Sequence, residues 1–208
     1  MKKIYDISPL IDENLKVWPG DKSIEREIVA DMSKGDRNTS SKIHTTVHLA
    51  SHADALSHIS LEGATIDEMP LEHYLGECQV IKVDAEPGAR IKPEQISQEI
   101  KAKRILFDTG TFPDFSSWSE DFAGLSPELL DFLASKDVIT IGIDTPSVDN
   151  MQDVEDLITH KKFAEHRIAI LEGIVLKDVP EGVYELIALP LRMKGLDASP
   201  VRAILREL

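Results

Sequence analysis

A chain of 208 residues with 42% apolar and 29% charged side chains has the make-up of a globular fold. It is long enough to bury roughly 70% of its unfolded surface without covalent staples, and its single cysteine, Cys78, excludes an intramolecular disulfide and points to a reducing cytoplasm. A formal charge of −14, from 37 acidic against 23 basic residues, disfavours nucleic acid and anionic membrane surfaces as partners.

The start, Met1-Lys2-Lys3-Ile4-Tyr5-Asp6, brings charge before any apolar stretch develops, so no secretory signal is expected. Apolar stretches such as residues 186–191 are too short to span a bilayer. In chain order, residues 3–7, 24–29, 43–49 and 79–83 read as strands, broken by Pro19-Gly20-Asp21, Gly35-Asp36 and Gly63. Cys78 opens the last of these and reads as a small buried residue, because no basic partner stands near to activate its thiol. The second half alternates. A helix over 93–102 precedes a strand over 104–107. Ser126, an N-cap followed by Pro127 at the first helical position, starts a helix that runs to 135. A strand over 138–143, a helix over 154–165 and strands over 167–171, 184–189 and 203–205 complete the chain. Without repeats or low-complexity linkers, residues 1–208 read as a single α/β domain with a mixed, β-rich core.

Four of the seven histidines fall in one window, at His44, His48, His52 and His58, with Asp54 among them. Were this window helical, His48 and His52 would share a face, but Asp54 would point about 240° away at roughly 100° per residue. In an extended chain, positions 48, 52, 54 and 58 share one parity and project from one face. A strand running into a turn is therefore the backbone that brings all four together. Ala50, Ser51, Ala53 and Ala55 leave room for a close approach to an ion. Imidazole nitrogens with a carboxylate suit Zn²⁺, with Mn²⁺ or Co²⁺ as substitutes, and the lack of thiolates favours an open, catalytic site.

The pattern His-x-x-x-His-x-Asp-x-x-x-His, carried by His48, His52, Asp54 and His58, resembles the signature of the metal-dependent cyclase/formamidase family. Asp6-Ile7-Ser8, Trp18-Pro19-Gly20-Asp21, Gly142-Ile143-Asp144-Thr145-Pro146-Ser147 and Leu171-Glu172-Gly173 fit it as well. Within the family, the tail from Tyr184 to Arg192 and from Leu196 to Ala203 is most similar to the bacterial kynurenine formamidases. These hydrolyse N-formyl-L-kynurenine during tryptophan breakdown.

The resemblance implies a swivelling β/β/α fold, a homodimer and two zinc ions per subunit. His48, His52 and Asp54 would hold one ion, and Asp54 would bridge to a second completed by His160 and Glu172. His58 would be the acid/base residue, and Trp18 would lie against the substrate ring. Read without the family, Glu172 is sooner a solvated turn acid and His160 a surface histidine, while Trp18 is equally a packing residue. His44 and His166 find no role in the pattern. Two positions depart from it: Ala50 stands where glycine is commoner, and Leu56 where proline is. The turn is expected to adjust to them while metal binding survives. A relative acting on a cyclic amide or imide of the isatin kind, and a non-catalytic metal-binding relative, remain the alternatives.

Overall fold

The computed structural model describes residues 2–152 and 155–208. Its strands are β1 (Ile4–Asp6), β2 (Glu25–Ala30), β3 (Ser40–His44), β4 (His52–Asp54), β5 (Leu75–Lys82), β6 (Arg90–Ile91), β7 (Arg104–Asp108), β8 (Gly124–Leu125), β9 (Thr140–Ile143), β10 (Ala169–Glu172), β11 (Gly182–Ile187), β12 (Ala198–Pro200) and β13 (Ile204–Glu207). Two α-helices, α1 (Pro127–Ala134) and α2 (Ile158–His166), pack against each other.

Nine strands form one sheet in the order β1-β13-β11-β5-β7-β9-β10-β4-β12. Its centre, β5-β7-β9-β10, is parallel, and the strands on both flanks run antiparallel. Central strands buried on both faces are apolar without alternation, because consecutive side chains enter different cores. Ile81, Phe107, Ile141 and Ile170 pack with Leu129, Leu133 and Phe163 of the two helices. Val80, Leu106 and Leu171 point the other way, among Tyr74, Leu186 and Ala203. The mixed, β-rich α/β class expected from the sequence is the class observed.

Helix α1 starts as its sequence predicts: the Ser126 side chain accepts from Leu129 N, and Pro127 occupies the first turn. The helix expected over 93–102 does not form. A single 3₁₀ turn, Pro93–Gln95, is followed by extended backbone at Ile96. The Gln79 side chain then takes over the hydrogen bonds that a helix would have made, donating to Glu99 O and accepting from Lys101 N. The strand expected over 43–49 ends at His44, because the chain bends where Thr46 Oγ1 accepts from His48 N. The helix expected over 154–165 runs Ile158–His166, and its first expected residue lies outside the described residues. Cys78 is fully buried, and burial pushes its thiol up to about 12, as suits a packing residue.

Candidate metal centre

The histidine window is extended only where it must be. His52 and Asp54 are alternate residues of β4, so both side chains leave one face of the sheet. Antiparallel pairing places Glu172 of β10 directly opposite His52. His48 precedes the strand, and His58 ends the 3₁₀ turn Leu56–His58 that follows it, so a turn at each end folds these two rings back. Helix α2 brings in His160, which is only 3% exposed. All six side chains named by the sequence, from positions 48 to 172, meet in one cluster.

Its geometry is that of anchored imidazoles around carboxylates. His52 Nδ1 lies 3.0 Å from Ala50 O, which leaves Nε2 3.2 Å from Glu172 and 3.5 Å from Asp54. His160 Nδ1 lies 2.8 Å from Asp149, with Nε2 3.5 Å from Glu172 and 3.7 Å from Asp54. His48 Nε2 lies 2.9 Å from Asp197, with Nδ1 3.0 Å from Asp54. Each ring has one nitrogen tied to an outer oxygen and the other aimed inward, the arrangement that fixes the tautomer of a ligating histidine. Yet both Asp54 oxygens and His52 Nε2 are buried without a hydrogen-bond partner, since the short contacts lack hydrogen-bond geometry. Buried polar atoms are seldom left this way. A divalent cation fits this donor set. Ligand atoms of His48, His52 and Asp54 lie within 4.8 Å of one another, as do those of Asp54, His58 and His160.

The electrostatics carry the same signature. Burial depresses His48, but the carboxylates of Asp54, Asp197 and Glu172 outweigh it and hold the ring up at about 9. His52 and His160 are raised against the same desolvation. Asp54 and Glu172, though buried, are held low by the histidines. Charges of both signs are thus trapped in a site that a cation would organise.

Sequence reasoning missed the outer residues. Asp149, fully buried, takes Thr159 N, His160 N and His160 Nδ1, and is itself 3.3 Å from Arg90. Asp197 reaches both His48 and His58, the latter at 3.5 Å. It lies within the tail that had already attracted attention, but an isolated aspartate gives no hint of its target.

The cluster forms the floor of a cavity of about 320 Å³. Trp18, Phe112, Phe115 and Trp118 line its apolar side. Trp18 packs edge-on against Trp118 at 5.4 Å, and Phe112 against Phe115 at 5.2 Å. Three aromatic residues between positions 112 and 118, in a chain only 5% aromatic, were the available signal for this wall. His44 sits at the surface beside Glu27, and His166 beside Asp131, both outside the site as expected.

The model of the Putative cyclase family matches residues 5–150, which hold the whole histidine window. The chain belongs to this cyclase family. Solved structures agree over the full length. A potential metal-dependent hydrolase with cyclase activity is 28% identical, with a TM-score of 0.85 and coverage of 100% of this chain and 99% of the other. A predicted metal-dependent hydrolase from Bacillus stearothermophilus is 29% identical, with a TM-score of 0.84 and full coverage of both chains. Isatin hydrolase A from Labrenzia aggregata, at 21% identity and a TM-score of 0.81 over 99% of this chain and 94% of its own, shares the fold. Glu172 and His160 lie beyond the matched residues and close the same cluster.

Proposed function

We propose that this protein is a metal-dependent amide hydrolase whose substrate is N-formyl-L-kynurenine, cleaved to L-kynurenine and formate. The observation that carries the reading is the set of three anchored histidines aimed at two buried carboxylates, with both oxygens of Asp54 left without a hydrogen-bond partner. His48, His52 and Asp54 would hold one divalent ion, and Asp54, His160 and Glu172 a second, with Zn²⁺ best matched to these ligands. When bound, such ions acidify water and polarise a carbonyl oxygen.

The remaining chemistry belongs to the chain. Hydrolysis forms a C–O bond at the formyl carbon and breaks the C–N bond to the arylamine, a poor leaving group as an anion. A proton must therefore travel from water to nitrogen. We assign this to His58, whose ring stands 4.4 Å from that of His48 and 5.7 Å from that of His160, with Nδ1 facing Asp197. It takes the proton from the attacking water and delivers it to the departing nitrogen. The aromatic wall of Trp18, Phe112, Phe115 and Trp118 fits a planar aryl group and excludes water from one side of the scissile bond. No helix of the described residues is long and apolar enough to cross a membrane.

The test is metal content by elemental analysis, together with hydrolysis of N-formyl-L-kynurenine with and without a chelator, beside isatin. Chelator-sensitive release of formate is the expected result. Turnover of isatin alone would move the assignment to a cyclic amide, the substrate named for the isatin hydrolases that share this fold.

A further inference from the structure

The segment that carries Trp18 also brings two unpaired charges to the cavity. Among the described residues, Lys16 is the single lysine or arginine lining it, and Asp21 is an acid of the same lining. Among the described residues, neither the Lys16 ammonium nor the Asp21 carboxylate has a hydrogen bond or an ion pair. Their backbone positions are nevertheless fixed. Lys16 N donates to Phe115 O at 2.8 Å, which ties it to the opposite aromatic loop. Asp21 N donates to Trp18 O at 2.9 Å and closes a turn with Pro19 and Gly20 at its centre. Gly20 has φ 99°, so the turn is of the kind in which proline followed by glycine is favoured.

We infer that Lys16 and Asp21 form a clamp for a zwitterionic α-amino acid group on a substrate whose aromatic ring lies against Trp18. The inference rests on the amide-hydrolase reading for the reaction but not for the binding. In this arrangement the substrate carboxylate meets Lys16 and its α-ammonium meets Asp21, while the formamide points to the histidine floor. A chain of net charge −14 repels a free carboxylate, and one ammonium in the cavity wall offsets that repulsion where it matters. A neutral lactam would leave both charges without partners. The clamp therefore selects open-chain amino acid formamides over cyclic amides of the isatin kind.

The experiment compares wild type, Lys16→Met and Asp21→Asn, each loaded with metal, on four formamides. These are N-formyl-L-kynurenine, its decarboxylated amine, its deaminated acid and neutral formanilide. Lys16→Met is expected to raise KM on the order of 10-fold for the two carboxylate-bearing substrates, the scale of a partly exposed charge-assisted contact. The amine and formanilide should change less than about twofold. Asp21→Asn should give the complementary pattern, weakening the two ammonium-bearing substrates and sparing the deaminated acid. Equal effects on all four, or none on the amino acid, would overturn the clamp. If wild type hydrolyses none of them, the hydrolase reading fails, and calorimetric titration of L-kynurenine against its decarboxylated amine still decides. A wild-type preference for the amino acid that Lys16→Met abolishes supports the clamp, and the absence of any preference refutes it.

Discussion

At the scale of single residues, His58 is the position with two incompatible roles. Its ligand atom lies within 4.8 Å of those of Asp54 and His160, so geometry alone allows it to bind an ion. Its Nδ1 also faces Asp197, and it is the least buried histidine of the cluster, as a group that exchanges protons with water should be. Proton transfer by a placed side chain contributes roughly 10²–10⁴-fold. His58→Ala should therefore keep its metal and lose activity by about that factor. Parallel loss of bound metal would make it a ligand. Glu172→Gln tests the other side of the cluster. With one oxygen accepting from Val148 N and both facing histidines, it should fold but bind half the metal of the wild type by elemental analysis. Unchanged stoichiometry would remove Glu172 from the second site. His48, His52, Asp54 and His58 were legible because their spacing is tied to one stretch of backbone, whereas His160 and Glu172 were reached only through the family resemblance. Asp149 and Asp197 were not legible, because their roles exist only once β12 and the segment before α2 have been folded against that stretch.

At the scale of elements, the site depends on a turn that the sequence makes costly. Ala50 stands where the family resemblance favours glycine, and adjustment of the backbone was expected. In the structure Ala50 has φ 55°, the left-handed conformation that glycine adopts freely. The reason is on the facing strand. Ala50 O holds His52 Nδ1, and Gly173, at φ 65°, packs so closely that a Cβ there would lie 2.3 Å from that same oxygen. Moving Ala50 would release the ring and collide with β10. Ala50→Gly should relieve the strain and raise stability by roughly 0.5–1 kcal/mol, after the greater freedom of glycine in the unfolded chain is subtracted. Gly173→Ala should cost more than about 2 kcal/mol and lower metal affinity, because Glu172 and His52 must separate. Denaturant midpoints of the two variants check both signs. The loss at 93–102 shows the complementary limit: propensity favoured a helix, but one glutamine on a neighbouring strand captured the backbone. A local pattern cannot announce a partner so distant in sequence.

At the scale of the whole molecule, the parallel strands and the aromatic wall are joined through one buried acid. Asp144, at the carboxyl end of β9, accepts from Thr109 N, Thr109 Oγ1 and Gly110 N, the first residues of the segment that leads to Phe112, Phe115 and Trp118. Burial pushes its carboxyl up to about 6, and neighbouring Asp108 adds to this, although those three donors favour the charged form. Asp108 is in turn 3.1 Å from Lys82, so the groups facing Asp144 are one acid and, behind it, one ammonium. Because the folded value lies above the ordinary 3.8, the folded protein holds this proton more tightly than the unfolded chain does. The resulting stability is complete below about pH 4 and is lost as pH rises through about 6. The difference amounts to about 3 kcal/mol at most. Asp144→Asn carries no such proton. The stability of the wild type relative to this variant should therefore fall across that interval and stay level above pH 7. Urea midpoints measured for both proteins between pH 4 and 8 test this, and parallel curves would show that Asp144 is not protonated in the fold. If the curves diverge as expected, the carboxylate is kept charged at neutral pH at a cost to stability. That is consistent with its three donors serving to hold the start of the aromatic loop, and hence the cavity wall, in place.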